Sequence, residues 1–137
     1  MQKQIDTLKQ LETVAQELSQ IIKSGEVVFL LGDLGAGKTT FSQLFLKACG
    51  VIDAVKSPTY TLFETYQVKR QTYVHMDLYR LTDPEELYFM GIEDLFNGRN
   101  VLLVEWPQKG TGVLPEPDWI LTFTYKQLNR NLTIISK

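Results

Sequence analysis

The chain has 137 residues, of which 44% are hydrophobic and 22% are charged, and its formal net charge at pH 7 is -2. These values are typical of one globular domain, which we expect to span residues 1–137, and they exclude an intrinsically disordered chain. They also disfavour direct binding of DNA or RNA, because the chain has no general excess of positive charge.

Cysteine content and hydropathy indicate where in the cell the protein is expected to be. The single cysteine, Cys49, has no partner for an intramolecular disulfide. The amino-terminal stretch MQKQIDTLKQLE lacks the apolar region of a signal peptide. The longest apolar runs, VVFLL and VLLVEW, are far shorter than the roughly 18 residues that a membrane span requires. We therefore expect a soluble cytoplasmic protein with no membrane attachment.

The first third of the sequence predicts a helix, a strand and a second helix. Apolar residues recur at three- and four-residue intervals from Leu8 to a stop at Gly25, with Asp6 or Thr7 as the helix cap. The run Val27–Leu31 is apolar on both faces, which favours a strand buried in a parallel sheet. After a glycine-rich loop, helical spacing resumes at Phe41 and continues to Gly50.

The rest of the chain predicts further strands and two short helices. A helix with Asp83 as its cap and Pro84 in its first turn ends near Gly91, and a short helix over Ile92 to Phe96 follows. The last two predicted strands form an antiparallel pair that completes the sheet. The fold class is therefore α/β. The predicted strands are Leu62–Tyr66, Thr72–Leu78, Val101–Val104, Trp119–Tyr125 and Asn131–Ile135.

The loop GDLGAGKT fits the pattern G-x-x-x-x-G-K-[ST], and each fixed position has a physical role. Gly32, Gly35 and Gly37 allow backbone N–H groups to surround a polyphosphate. Lys38 can reach the β- and γ-phosphate oxygens, and Thr39 offers a hydroxyl to Mg²⁺. The following helix directs its positive end at the same anion. This pattern predicts a nucleotide site, whereas the dinucleotide fingerprint G-x-G-x-x-G needs a different order of glycines.

Hydrolysis also requires a second anchor for the metal and a group that orients water. Two acidic residues lie at the ends of predicted strands: Glu105 after Val101–Val104, and Asp77 directly after Met76, near the end of Thr72–Leu78. Glu105 ends a wholly apolar strand, as the Walker B carboxylate does. The alternative for both is a solvated strand-end carboxylate. How the two acids divide the metal and water roles stays open.

Other residues carry weaker signals. Thr59 in SPT is a candidate switch-loop hydroxyl that reaches the γ-phosphate, and the alternative is an ordinary turn. Trp106 is a candidate for packing, for the site or for a partner surface. His75 has no partner at metal-ligand spacing, so we expect a satisfied or exposed strand residue, and Cys49 is expected in the core. Neither supports a zinc or thiol mechanism.

Five segments occur in order along the chain: GDLGAGKTT, SPTYTL, HMDLYRL, DPEEL with MGIEDLF, and VLLVEWPQKG with LPEPD. In this order they resemble the bacterial TsaE (YjeE) family over about Leu11 to Arg130. Its members are small P-loop ATPases needed for threonylcarbamoylation of adenosine 37 in tRNAs that read ANN codons. The resemblance implies a P-loop NTPase fold, with central parallel strands flanked by antiparallel strands and helices on both faces.

The resemblance also implies a function. It implies an auxiliary ATPase that uses ATP and Mg²⁺, binds the TsaD–TsaB heterodimer and contacts tRNA at most indirectly. The family's Mg²⁺ ligands correspond to Thr39 and Glu105, and its essential aspartate corresponds to Asp77. Further correspondences are Trp106 in the EW pair, and Thr7 and Arg130 on the adenine side. The family's phosphate-loop positions correspond to Asp33, Leu34, Gly35, Ala36, Gly37, Lys38, Thr39 and Thr40.

Three functions are compatible with this sequence. The first is a slow Mg-dependent ATPase completed by its partner, since only four arginines exist and only Arg80 lies beside a proposed site element. The second is a small-molecule P-loop kinase, which needs an arginine-rich lid and a substrate-binding insertion that the sequence does not indicate. The third is a nucleotide-gated interaction module with negligible catalysis. GTP is disfavoured as the nucleotide, because the base-reading motif N-K-x-D is absent.

Overall fold

Seven strands form one mixed sheet in the computed structural model, which describes residues 1–137. The sheet order is β1-β7-β6-β2-β5-β4-β3. The four central strands, β4, β5, β2 and β6, are parallel, while β3 at one edge and β7 with β1 at the other pair antiparallel. The strands are β1 Gln2–Gln4, β2 Val27–Leu31, β3 Phe63–Val68, β4 Gln71–Asp77, β5 Val101–Glu105, β6 Trp119–Lys126 and β7 Asn129–Ser136.

Strands β2 and β5, which are apolar except for Glu105, lie in the middle of the sheet, where both of their faces are covered. On one face, Val28, Leu30 and Leu103 pack in a core with two long helices, α1 (Leu8–Ile21) and α2 (Lys38–Ala48). On the other face, alternate residues of β2, β4 and β5 form a second core with the 78–92 segment. The α/β class and the arrangement of antiparallel strands around central parallel ones are therefore confirmed.

The second face carries only short helical segments. The helix predicted from Asp83 to Gly91 is wrong in extent, because α3 spans only Glu86–Phe89. The Asp83 carboxylate accepts the N–H of Glu85 at 3.0 Å, and the next three backbone N–H groups donate to carbonyls three residues back, so the segment begins as a tight 3₁₀-like turn and not as an α-helix. A one-turn 3₁₀ helix, Ile92–Leu95, follows, and another spans Pro107–Gly110. Long helices therefore cover one face only.

Strand β1 was not predicted, because three polar residues carry no apolar alternation. Its pairing is tertiary: Gln2 lies opposite Thr133 and Gln4 opposite Asn131 of β7. The backbone N–H of Ile134 also donates to the carbonyl of Met1 at 2.7 Å. None of the helices has the length and apolar character that crossing a bilayer demands.

Thr7, not Asp6, caps helix α1. The Thr7 hydroxyl accepts the backbone N–H of Gln10 at 3.1 Å, and the Gln10 side chain accepts the backbone N–H of Thr7 at 3.0 Å. This reciprocal pair is a capping box, which satisfies two of the amide groups that a helix start leaves free. The Asp6 carboxylate instead accepts the backbone N–H of Arg130 at 2.6 Å and joins the helix entry to β7.

Removing the helix cap should lower the stability of the chain. We expect Thr7→Ala to lower the free energy of unfolding by about 1 kcal/mol, measured by urea denaturation, because one helix-start N–H loses its acceptor. Thr7→Ser keeps the hydroxyl and is the matched control, expected near the wild-type midpoint. Equal midpoints for the alanine variant and the wild type would contradict a stabilising role for the cap.

Candidate functional site

The glycine-rich loop between β2 and α2 depends on glycine at two positions for different reasons. Gly37 immediately precedes α2 with a left-handed φ of 109°, which side chains rarely adopt. At Gly32, a Cβ atom would lie 2.8 Å from the carbonyl oxygen of Phe123 on β6. Because α2 starts at Lys38, directly after the loop, its first N–H groups and the positive end of its dipole face the same space. An anion can bind there.

Strand register brings two acidic side chains to this loop. Glu105 ends β5 and lies opposite both Leu30 of β2 and Asp77 of β4. The carboxyl ends of the three parallel strands therefore meet where the loop begins. Both carboxylates are buried on the face of the sheet that α2 covers, since Leu103, two residues before Glu105, packs in the core of that face.

Most of the residues predicted for the site line one cavity of about 240 Å³. A wider cavity of about 600 Å³ adjoins it and shares Leu34, Gly35 and Arg130 with it. Asp33 and Ala36 line only this second cavity, together with Gly32 and Phe123–Tyr125. Thr7 lines neither. The first cavity is lined by Leu34, Gly35, Gly37, Lys38, Thr39, Thr40, Thr59, Asp77, Tyr79, Glu105, Trp106 and Arg130.

The Glu105 carboxylate has partners on two sides. The Thr39 hydroxyl lies 2.9 Å from Oε1 and 3.1 Å from Oε2 of Glu105. On the other side, Nε2 of His75 lies 2.7 Å from Oε2. His75 was expected to be a satisfied or exposed strand residue, and the structure shows the satisfied form, fully buried. The side chains of His75 and Asp77, two residues apart on β4, point to the same face of the sheet. The alternation of side chains along a strand could have predicted this from the sequence.

Asp77 interacts with the 57–59 loop and with the chain that follows β4. Its Oδ1 accepts the backbone N–H of Tyr79 at 3.0 Å, and its Oδ2 lies 3.3 Å from the Thr59 hydroxyl. The Thr59 hydroxyl also lies 2.8 Å from that of Ser57. Burial raises the pKa of Asp77 above its ordinary value, and the nearby Glu105 adds to this. The two hydrogen bonds partly oppose the pKa shift.

Lys38 is folded back onto its own loop. Its Nζ donates to the carbonyl of Gly32 at 2.5 Å and lies 3.9 Å from the centre of the Trp106 ring. The Trp106 ring in turn lies 5.0 Å from that of Tyr79, between ring centres. Burial lowers the pKa of Lys38, and the carboxylates of Glu105, Asp77 and Asp33 oppose this shift. The ammonium is thus held beside the cavity by one carbonyl and one aromatic ring.

The oxygen donors at the site match the preferences of Mg²⁺. Mg²⁺ is bound in proteins by one or two carboxylates and by phosphate oxygens, and it keeps several waters. The Thr39 hydroxyl and the Glu105 carboxylate meet at the cavity, with Asp77 on the neighbouring strand. No cluster of three or more His, Cys, Asp or Glu side chains is placed to hold a metal ion by itself. The donor set therefore fits a magnesium ion shared with a phosphate ligand.

Several residues of the two cavities were not predicted from the sequence. The backbone N–H of Tyr79 donates to Asp77, and its ring packs against that of Trp106. Because Tyr79 follows Asp77 by only two residues, the sequence does not distinguish a site residue from an ordinary turn residue there. Thr124 and Tyr125 reach the loop only because β6 pairs with β2. Cys49, predicted in the core, is half-buried and packs against the core edge, where burial raises its pKa.

Comparison with known proteins decides the family. The sequence model of the family described as "Threonylcarbamoyl adenosine biosynthesis protein TsaE" matches residues 5–132. The chain belongs to the TsaE family. The family takes part in the biosynthesis of threonylcarbamoyladenosine in tRNA, which is a tRNA modification. The resemblance noted in the sequence is thereby confirmed.

Individual relatives of the TsaE family agree with this assignment. The "tRNA threonylcarbamoyladenosine biosynthesis protein TsaE" of Haemophilus influenzae is 50% identical over 111 residues, which cover 81% of this chain and 70% of that protein. The protein of the same name from Rickettsia conorii is 36% identical over 133 residues, covering 96% and 74%. The crystal structure of Bacillus subtilis YdiB superimposes with a TM-score of 0.78 at 26% identity, covering 99% of this chain and 84% of that one.

The raised pKa of Asp77 predicts a pH-dependent stability change. Between the ordinary pKa and the raised folded-state pKa, the folded chain binds more protons, so stability falls as pH rises through this window. Above this pH window, Asp77 is ionised in the folded chain, and the full free-energy cost of burying its charge lowers the stability. Asp77→Asn removes the charge and keeps the acceptor for Tyr79, so we expect the variant to be more stable than the wild type at pH 7.

The advantage of Asp77→Asn should shrink as pH falls through this window toward the ordinary carboxyl pKa, because Asp77 becomes protonated first in the folded and then in the unfolded chain. Urea denaturation of the variant and the wild type between about pH 4 and 8 measures this difference. Asp53→Asn, at an exposed position, is the matched control and should show no such trend. An advantage that is independent of pH, or a loss of stability at pH 7, would contradict the assignment.

Proposed function

We propose that residues 1–137 form a single P-loop NTPase domain that binds ATP with Mg²⁺ and hydrolyses it. In this proposal the chain is an auxiliary ATPase of tRNA threonylcarbamoyladenosine biosynthesis and acts on the TsaD–TsaB heterodimer. One observation carries the proposal. The glycine-rich loop, Lys38 and the start of α2 converge on the same cavity as two buried strand-end carboxylates, Asp77 and Glu105. This combination suits a phosphate chain that is both held and cleaved.

The phosphate chain would lie along the loop and at the start of α2. Backbone N–H groups of residues 33–40 and the helix dipole would bind its oxygens. Lys38 would leave the carbonyl of Gly32 and the ring of Trp106, and its ammonium would pair with the β- and γ-phosphates. Burial lowers the pKa of Lys38, but the nearby carboxylates raise it. They therefore favour the charged form of Lys38, which is the form that binds an anion.

Thr39 and Glu105 would hold Mg²⁺, because the hydroxyl and both carboxylate oxygens already meet at the cavity. When bound, Mg²⁺ would neutralise charge on the phosphate oxygens. This leaves Asp77 to orient the attacking water. Asp77 is buried and has a raised pKa, and it lies beside the Thr59 hydroxyl, which would approach the γ-phosphate.

The wider cavity suits the adenosine part of the ligand. It continues from the phosphate loop along Phe123–Tyr125, and the Arg130 guanidinium lies 5.1 Å from the centre of the Tyr125 ring. A planar base could stack there. Thr7 would support this region indirectly, because its hydroxyl is used in the helix cap and its neighbour Asp6 holds the backbone of Arg130.

Arginine placement supports slow hydrolysis by the isolated chain. The Arg80 guanidinium lies over the Tyr60 ring, 4.5 Å from its centre, and Arg130 lies over Tyr125. Arg80 lines neither cavity, and Arg130, although it lines both, lies on the side that we propose for adenosine. P-loop enzymes that receive an arginine from a partner gain about 10³ to 10⁵ in rate. We therefore propose that TsaD–TsaB stimulates turnover.

ATP turnover with and without TsaD–TsaB tests the proposal. We expect low turnover by the isolated wild type, stimulation by the heterodimer, and a loss of about 100-fold in Lys38→Ala, because the phosphate charge loses its pairing cation. Lys47→Ala, an exposed lysine on the same helix, is the matched control and should retain activity.

Three results would each overturn a different part of this proposal. Fast turnover by the isolated chain, unchanged by the heterodimer, would exclude partner stimulation. Transfer of label from ATP to a small molecule would favour a kinase. Retention of partner-dependent function by Glu105→Ala would favour an interaction module without catalysis.

Trp106 fluorescence reports the movement of Lys38. In a Trp119→Phe background, Trp106 is the only tryptophan. We expect saturating ATP to change its emission, because the ammonium leaves the indole ring for the phosphates. The same titration in Trp119→Phe/Lys38→Ala should give no such change. ATP binding by calorimetry without any change in emission would show that Lys38 stays on the ring.

A further inference from the structure

His75 is a buried polar group that the proposed mechanism does not yet use. It lies on β4 with no exposed surface, next to apolar Val74 and Met76. Its Nε2 lies 2.7 Å from Oε2 of Glu105, while its Nδ1 is buried and has no hydrogen-bond partner. Burying a histidine among apolar residues costs free energy, and the hydrogen bond to Glu105 offsets part of this cost.

The unpartnered Nδ1 indicates where the ring proton lies. A buried N–H without an acceptor costs free energy, whereas the proton placed on Nε2 donates directly to a carboxylate. The ring therefore carries its proton on Nε2, and His75 acts as a donor to Glu105. This hydrogen bond crosses from β4 to β5 on the diagonal of the strand register, because His75 lies opposite Leu103 and Glu105 lies opposite Asp77.

The second partner of Glu105 does not orient the carboxylate as firmly. Thr39 has one hydroxyl proton, which the two carboxylate oxygens share at 2.9 and 3.1 Å. In the proposed function this hydroxyl also turns toward Mg²⁺. His75 is then the side chain that keeps the buried Glu105 in one orientation while the ligand binds.

We infer that His75 is a positioning residue that orients Glu105 toward the magnesium-bound phosphate chain. This inference rests on the proposed function of Glu105. Partners that hydrogen-bond to a metal-ligating group from behind typically change metal affinity by about 10- to 100-fold. The effect of His75 should therefore appear in the part of ATP binding that depends on Mg²⁺.

Two variants separate positioning from packing. His75→Leu fills the ring volume and removes the donor, and His75→Gln keeps an N–H donor near the Nε2 position. Calorimetry would compare ATP binding with Mg²⁺ and with EDTA for each variant and for the wild type. We expect His75→Leu to weaken the Mg²⁺-dependent binding by about 10-fold or more, with little change in EDTA, and His75→Gln to restore most of it.

A ligand-free measurement tests the hydrogen bond itself. In ¹⁵N NMR spectra of the wild-type chain, we expect Nε2 of His75 to be protonated and Nδ1 to be unprotonated. The opposite tautomer would overturn the inference even if His75→Leu fails to fold. Equal weakening of ATP binding with Mg²⁺ and with EDTA, or no weakening at all, would overturn it as well, since either result leaves His75 with a packing role only.

The two proposals fail in different ways. If the wild type binds no ATP under either condition, the proposed function is wrong, and the magnesium-directed role of His75 is wrong with it. If the wild type binds ATP with a clear Mg²⁺ dependence that His75→Leu preserves, the proposed function stands and only the positioning role is lost.

Discussion

The burial of Glu105 is the constraint on which the site depends. A carboxylate that is only 2% exposed needs hydrogen-bond donors, and the donors come from two directions. The Thr39 hydroxyl reaches it from the first turn of α2, and His75 reaches it from the neighbouring strand. Glu105 therefore joins the helix that follows the glycine-rich loop to the centre of the sheet. The position of α2 relative to β5 therefore determines whether Thr39 and Glu105 can act together in the site.

Lys38 has two partners in the site. Its ammonium pairs with a loop carbonyl and an aromatic ring, both of which are weaker partners than a phosphate. Trp106 itself has a left-handed φ of 59°, which is uncommon for a large side chain. The site thus holds its cation in a position that a stronger anionic partner can replace. This arrangement agrees with the proposed use of ATP.

Much of the fold was predictable because its signals are local. The apolar runs of β2 and β5, the helical spacing of α1 and the glycine pattern before α2 each lie within a short stretch of sequence. The extent of α3 was predicted wrongly, because the backbone after Asp83 first forms hydrogen bonds to the third residue back, which the residue pattern does not distinguish from an α-helix. Strand β1 was missed because only pairing with β7 makes its polar residues a strand.

The sequence by itself determined the loop GDLGAGKT, the strands on either side and the presence of acidic residues at two strand ends. These features follow from residue types at fixed spacing. Tertiary structure decided that Asp77 and Glu105 face one cavity, that His75 donates to Glu105, and that β6 places Phe123 beside Gly32. These residue pairs are 28 to 91 positions apart in the sequence. They depend on strand order and register, which arise from the packing of the whole sheet and not from any local pattern.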